Sequence, residues 1–400
     1  MPLSPADRRY DIALLGATGF TGRLTADYLA RTAPPDCRWA LAGRSPAKLA
    51  ELRDELAARL PDLRNVDVVR ADVSDDFADS GLRRLAAETR VLATTVGPYV
   101  LYGDAVVAAC AAAGTDYLDL TGEPEFVDRC YVRHHRTALE RGARLIHASG
   151  FDAVPPDLGA YFTVLHLPAH EPLRIAGYVR AHGAFSGGTL YSALTALSRL
   201  RDNAVARRER RAAESRTAAP GRVARAVPGR PHRDPVDGRW ALPLPTIDPQ
   251  IVRRSARAVA RYGPDFRYSH YASLGSPFAA AGAMAGIGAV AGIAQLPPAR
   301  RILLERVKPG NGPSAERRAR SWFTVTFVGG TANGIQRVVT RVSGGDPGYD
   351  ETAKMLGESA LCLAFDDLAS TAGQLTSVAA MGDRLLARLS AAGLRFEVIA

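Results

Sequence analysis

Seven residues, Gly16-Ala17-Thr18-Gly19-Phe20-Thr21-Gly22, follow the apolar run Ile12-Ala13-Leu14-Leu15 and open an apolar-periodic segment that reaches Arg31. Glycines at this spacing allow a tight turn, a close approach of backbone to a ligand, and packing of the next helix on the strand before it. The N–H groups at that helix start, together with its dipole, favour an anion. A glycine triplet alone is weak. The strand before it, the helix after it and the βα units beyond it make the reading specific. Gly16, Thr18, Gly19, Phe20, Thr21 and Gly22 are therefore expected to hold a dinucleotide pyrophosphate.

The second apolar run ends in Ala42-Gly43-Arg44-Ser45, with Lys48 one turn further on. An acid here would accept from a ribose 2′-hydroxyl, whereas guanidinium and hydroxyl groups suit a 2′-phosphate. Asp36 precedes the strand and sits at its wrong end. Arg44, Ser45 and Lys48 thus point to NADPH. Asp72-Val73 follows the third strand, where a short polar group either meets the adenine or caps the next helix. After the fourth strand come Val96, Gly97, Pro98 and Tyr99, in a loop expected to border the nicotinamide. Tyr99 and Tyr102 are then the nearest phenols to a transferred hydride. No Tyr is followed by Lys four residues later; Tyr349, with Lys354 five along, comes closest. Simple ketone–alcohol interconversion by a Tyr/Lys dyad is therefore not expected.

These groups need a frame to position them. Strands are predicted at Ile12–Leu15, Trp39–Ala42, Val66–Arg70, Val91–Thr95, Tyr117–Leu120 and Arg144–His147, with helices at Gly22–Arg31, Pro46–Arg59 and Asp104–Ala113. This alternation predicts an α/β fold, a Rossmann-type doubly wound parallel sheet over residues 1–150 with right-handed crossovers. A second, α+β substrate or dimerisation domain is expected over 151–345, opening with a helix near Pro155-Pro156-Asp157. Within it, Trp322–Val328 and Gln336–Val342 read as strands. Helical spacing in Asp350–Phe365 and Val378–Leu389 predicts amphipathic helices that close the fold over 346–400. Pro220–Pro235 reads as a loop or linker. Ala272–Ala299 has no charge and reads as a flexible, buried segment lining a substrate groove; contact with a membrane surface and a membrane span are its alternatives.

The 400-residue length fits two domains, and 47% hydrophobic with 23% charged residues supports ordered cores. Cys37, Cys110, Cys130 and Cys362 lie far apart without metal-ligand spacing, so no metal site is expected. The polar stretch from Met1 to Arg9 lacks the apolar core of a signal peptide, and a cytoplasmic location is expected. Most of the net charge of +10 lies between Arg199 and Arg233, where eleven Arg face Asp202, Glu209 and Glu214. No aromatic residues interleave with them, which argues against a nucleic-acid platform. A solvated, partly disordered insertion is the plain reading of this stretch.

Beyond these local readings, the chain resembles the saccharopine dehydrogenase-like oxidoreductases, within them the trans-acting enoyl reductase branch. The resemblance rests on GATGFTG at 16–22, AGRS at 42–45, VGPY at 96–99, YLDLTGE at 117–123, SGFDAVPPDLG at 149–159, FSGGT at 185–189, GPSAERRARSWF at 312–323 and YDETAKMLGESALCLA at 349–364. It implies NADPH-dependent reduction of a carbon–carbon double bond in a hydrophobic acyl or polyketide substrate. Such chemistry needs donors for an enolate and a proton for the α-carbon. Tyr99, Tyr102 and Ser186, with the Gly187 and Gly188 amides, are the candidates. Asp152 is left open between orienting substrate and capping a helix, and Glu123 reads as structural.

Two other classes compete with this reading. An amino-acid-type reductase would need a basic clamp, for which Arg174, Arg180 and Arg199 are available. A non-catalytic, membrane-associated NADP-binding protein would bind cofactor without turnover. An acidic carrier protein docking on the Arg-rich segment and a homodimer are the expected macromolecular partners.

Overall fold

The structure is a computed structural model that describes residues 7–73, 81–183, 195, 198–215, 222–244, 246–296, 298 and 312–400. The strands β1 (Tyr10–Leu15), β2 (Trp39–Gly43), β3 (Asp67–Arg70), β4 (Thr89–Thr94), β5 (Asp116–Asp119) and β6 (Arg144–Ile146) alternate with the helices α1 (Phe20–Thr32), α2 (Pro46–Ala57), α3 (Leu82–Glu88), α4 (Tyr99–Ala113) and α5 (Pro124–Arg141). Every residue of β1 and β2 is buried, as central strands covered on both faces require. Ile12 and Leu14 point into one core and Ala13 and Leu15 into the other. All pairings in this sheet are parallel, and β1 lies between β2 and β4. The strand order therefore reverses at β1, and a crevice opens beyond its carboxyl end.

A second sheet lies beyond α6 (Val154–Leu165). It contains β7 (Leu173–His182), β8 (Val223–Ala226), β9 (His232–Arg233), β10 (Trp240–Pro243), β11 (Asp265–Leu274), β12 (Trp322–Thr331) and β13 (Arg337–Gly344). Here β7 pairs parallel to β11 and antiparallel to β12. The helix α6 rests directly on this sheet: a Cβ on Gly159 would lie 2.2 Å from the Phe327 ring. The last segment joins both sheets. Its β14 (Gly373–Leu375) extends the first sheet beside β6, and β15 (Arg395–Val398) extends the second beside β13.

Three readings of the second half are corrected. The Pro220–Pro235 stretch holds β8 and β9 rather than a plain linker. The Arg-rich stretch contains a sixteen-residue helix, α7 (Leu200–Ser215), which packs on α5 rather than lying free in solvent. Its Arg210 is 5% exposed because it finds partners: the Glu214 carboxylate at 2.7 Å, Asp128 at 3.4 Å, Gln374, and the Tyr131 ring at 4.2 Å. The uncharged stretch is a continuation of β11 followed by a helix over Pro277–Gln295, not a flexible buried liner. Alanine favours that helix. Most of its described residues are exposed, Phe278 at 86%, while Ala294 near its end is buried. Among the described residues no helix is long and apolar enough to cross a membrane.

Completing the set are α8 (Asp248–Ala258), α9 (Pro277–Gln295), α10 (Ala315–Ala319), α11 (Asp350–Phe365) and α12 (Ser377–Ala391). A hydrogen bond from Tyr28 of α1 to Glu358 of α11, 2.7 Å long, ties the C-terminal helices to the first sheet.

Candidate active site

The turn between β1 and α1 is shaped by three glycines with separate reasons. Gly16 has φ +85, a left-handed conformation that favours glycine. A Cβ on Gly22 would sit 2.2 Å from the Gly16 carbonyl oxygen, so the helix closes on the turn only without a side chain there. Gly19 is the N-cap of α1 and offers no capping side chain, and the first turn contains no acid. The first N–H groups of α1 are thus left without a capping acceptor, as an anion site requires.

Helix α4 begins on the same sheet edge and differs. The Glu123 carboxylate, 3% exposed, accepts hydrogen bonds from the Tyr99 amide at 3.0 Å and the Val100 amide at 2.7 Å. Its positive end is neutralised from within the protein. Glu123 is therefore a cap, for the helix that starts 24 residues before it.

The loop after β4 lies against the pyrophosphate turn. Thr95 Oγ1 donates to the Gly16 carbonyl at 3.1 Å, and the Val96 side chain would lie 2.7 Å from a Cβ on Gly16. Val96, with Gly97 and Pro98 following it, thus stands beside Gly16, where the ring end of a dinucleotide would run. At the end of β2, Arg44 is exposed and forms no ion pair with a described residue. Ser45 Oγ accepts the Lys48 amide at 3.4 Å, which leaves its own hydrogen to donate outward. Lys48 is exposed one turn into α2. These groups suit a 2′-phosphate. Asp72 is buried and Val73 half-buried just beyond β3. An uncapped helix start, a glycine cradle and an unpaired guanidinium fit NADPH.

The Phe20 side chain meets the second half of the chain. Its ring meets Tyr349 edge-on at 5.0 Å, Arg318 lies 5.6 Å over it, and a Cβ on Gly312 would collide with it. Phe20 thus joins the turn to the second half of the chain, and its side chain acts as a strut there.

The candidates for catalysis divide. Tyr99 is 5% exposed; its hydroxyl donates to the Thr94 carbonyl and accepts the Leu120 amide, each at 3.2 Å. Burial, with Asp119 nearby, pushes its phenol well above the ordinary range. It bridges the ends of β4 and β5. Tyr102 is 38% exposed on the first turn of α4. Ser186, with Gly187 and Gly188, lies outside the described residues.

Asp152 follows β6 in the loop before α6, and its carboxylate is 3.5 Å from where a Cβ on Gly122 would stand. The Asp152 residue is exposed. Desolvation there, and the charge of Asp248, push its carboxyl up to about 7. Asp248 itself, at the start of α8, is 5% exposed and pushed up to about 7 by burial. It lies 3.7 Å from His270 Nε2, while His270 Nδ1 meets the Tyr268 hydroxyl at 2.7 Å. Burial lowers His270 to about 3, so its imidazole is neutral. Sequence reasoning missed Asp248. An Asp-Pro pair at a helix start was its visible trace, and that alone reads as a cap.

The three arginines of the supposed carboxylate clamp are each committed elsewhere. Arg174 pairs with Asp265 at 2.6 Å, Arg180 with Asp237 at 3.5 Å, and Arg199 with Glu125 at 2.8 Å. Among the described residues no group of three or more His, Cys, Asp and Glu is placed to hold a metal ion.

Residues 12–147 match the family described as the saccharopine dehydrogenase NADP binding domain. Over 425 residues, covering 99% of both chains, the protein is 40% identical to a Mycobacterium tuberculosis protein provisionally named a trans-acting enoyl reductase. It is 38% identical over 423 residues, 98% of both chains, to the trans-acting enoyl reductase of the same organism, and 37% identical to that of Mycobacterium ulcerans. Its fold is similar to that of saccharopine dehydrogenase (L-Glu forming) from Saccharomyces cerevisiae, with a TM-score of 0.56 at 12% identity over 97% of this chain and 99% of that one.

Proposed function

The chain belongs to the trans-acting enoyl reductase family of saccharopine dehydrogenase-like oxidoreductases, and from that premise we propose that it uses NADPH to reduce a carbon–carbon double bond conjugated to a thioester carbonyl in a polyketide or lipid-like intermediate. Bound along the sheet edge, NADPH supplies the hydride that adds to the β-carbon. The protein's own work is to hold, to orient and to protonate. The α1 N–H groups hold the pyrophosphate, and Arg44, Ser45 and Lys48 hold the 2′-phosphate. Val96, Gly97 and Pro98 would border the nicotinamide.

As the β-carbon gains its hydride, the π pair moves toward the carbonyl and an enolate forms. Tyr102, exposed on the first turn of α4, is the phenol available to that oxygen. Asp152 then gives its proton to the α-carbon. It is left as a carboxylate and regains a proton from water, which its exposed side chain permits.

The observation that supports this assignment most is the place of Asp152: an exposed acid in the loop between β6 and α6, 3.5 Å from where a Cβ on Gly122 would stand, at the carboxyl edge of the first sheet, with its carboxyl raised toward neutrality as a general acid requires. NADPH consumption with an α,β-unsaturated thioester tests it. Asp152→Asn is expected to lower kcat by about 10²-fold or more with NADPH affinity unchanged. Because the carboxyl is raised to about 7, activity should be full below that pH and fall as pH rises through it, and the variant should lose that limb. An unchanged kcat in Asp152→Asn would remove Asp152 from the reaction.

A further inference from the structure

The helix α7 turns two sets of arginines in opposite directions. Arg199, just before it, reaches Glu125 with two hydrogen bonds of 2.8 Å, and Arg210 is buried among Asp128, Glu214 and Gln374. These two, with buried Ala206, recur at helical spacing and pin one face of α7 to α5. The opposite face presents Arg201, Arg207, Arg208 and Arg211, all exposed and none in an ion pair with a described residue.

Beside this ridge runs a groove of about 220 Å³ between α5 and α7, lined by Arg129, Val132, Arg133, Val205, Ala206 and Glu209. Val132 is 44% and Val205 55% exposed, so the groove offers apolar contact flanked by cations, with Glu209 the one acid among its lining residues. Arg129 and Arg133 are held in place by Glu125 at 2.8 Å and Asp104 at 3.1 Å.

We propose that this ridge and groove form the docking surface for an acidic protein domain that delivers the enoyl chain as a thioester. The proposal rests on the enoyl reductase reading above. Four exposed guanidinium groups on one helix, none paired with a described residue, match an acidic partner, and pinning by Arg199 and Arg210 means that little backbone freedom is lost on docking. An apolar strip beside a charged ridge suits a helix laid in a groove. The surface also begins at the right place. Glu125 lies in the first turn of α5, two residues from Glu123, which caps α4 at the crevice edge. From Glu125 to Arg133 the helix climbs only about 12 Å. A domain seated here would stand within a short tether of Asp152. The absence of aromatic side chains on the ridge disfavours single-stranded nucleic acid.

The test compares one enoyl chain on an acidic acyl carrier domain with the same chain on a short free thiol, using the full-length enzyme and NADPH. The variant R201E/R207E/R208E/R211E is expected to lose at least about ten-fold in kcat/KM on the carrier-bound chain and to change less than about two-fold on the free thioester. With the unmutated enzyme, only the carrier-bound rate should fall steeply with salt. NADPH affinity and the unfolding midpoint control for folding, and R207Q/R208Q, with a smaller loss in the same direction, replaces the reversal variant should it not fold. Calorimetric titration of the carrier domain gives a readout independent of turnover. Carrier binding that the variant abolishes supports the surface even were neither thioester reduced, a result that would sink the enoyl reductase reading alone. Equal rates and equal carrier affinity in both proteins would overturn the surface. So would loss of binding to phosphatidylglycerol vesicles with carrier affinity intact.

Discussion

Helices α1 and α4 start side by side on the carboxyl edge of one parallel sheet, yet they end their backbones differently. The α4 start is closed by Glu123, whose two oxygens take the Tyr99 and Val100 amides. The α1 start has glycine where a cap would be and no acid in its first turn. Each helix end carries about half a positive charge, so a nearby carboxylate and a bound phosphate compete for the same role. A helix whose positive end the protein leaves unanswered, above a glycine cradle, is built for an anion from outside.

Supplying α1 with what α4 already has breaks the contrast most sharply. Gly19→Asp places a carboxylate at the N-cap of α1, and like-charge repulsion with the pyrophosphate should weaken NADPH by about 4 kcal/mol, on the order of 10³-fold. The fold should be little harmed, because Gly19 has an ordinary extended φ of −70 and a Cβ there would meet only the Gly16 carbonyl oxygen, at 3.3 Å. Fluorescence titration of NADPH together with thermal unfolding checks both halves; full NADPH affinity in this variant would refute the placement of the turn. Arg44→Asp acts one strand away. It should cost NADPH about 2–4 kcal/mol while leaving NADH nearly unchanged, since only the 2′-phosphate meets that residue. Equal losses for both cofactors would mean that Arg44 is not the phosphate partner. The smallest effect belongs to the closed helix. Glu123→Ala removes a buried cap, and about 1–3 kcal/mol of stability should go with it in denaturant unfolding. NADPH affinity should shift less than about three-fold. A large loss of cofactor affinity with unchanged stability would reverse the roles given to the two helix ends.

The same contrast shows what could be read from the chain. The α1 site is local: strand, glycine turn and helix lie within one short stretch, and period and spacing disclose them together. The parallel sheet and its order of βα units were legible for that reason, as were β12, β13 and the helix over Asp350–Phe365. What distant residues decide was not. Tyr99 looks like a phenol beside the nicotinamide until Leu120 and Thr94 take up its hydroxyl. Arg210 sits in a run of arginines that reads as solvated, and its burial depends on Asp128, 82 residues earlier. The second sheet joins Leu173 to Phe266 in β7 and β11, and nothing in either strand names the other. Asp152 was visible as a loop acid. Its raised proton affinity comes from desolvation by neighbouring protein and from the charge of Asp248, and both belong to the folded chain.

The central claim is that this crevice delivers hydride from NADPH to the β-carbon and a proton from the protein to the α-carbon. NADPH deuterated at the transferable position of C4, incubated with the enzyme and an α,β-unsaturated thioester in ordinary water, measures it directly when the product is analysed by NMR and mass spectrometry. The account predicts one deuterium at the β-carbon, with only solvent-derived hydrogen at the α-carbon. Deuterium at the carbonyl carbon, or an unreduced double bond with NADPH tightly bound, would contradict it.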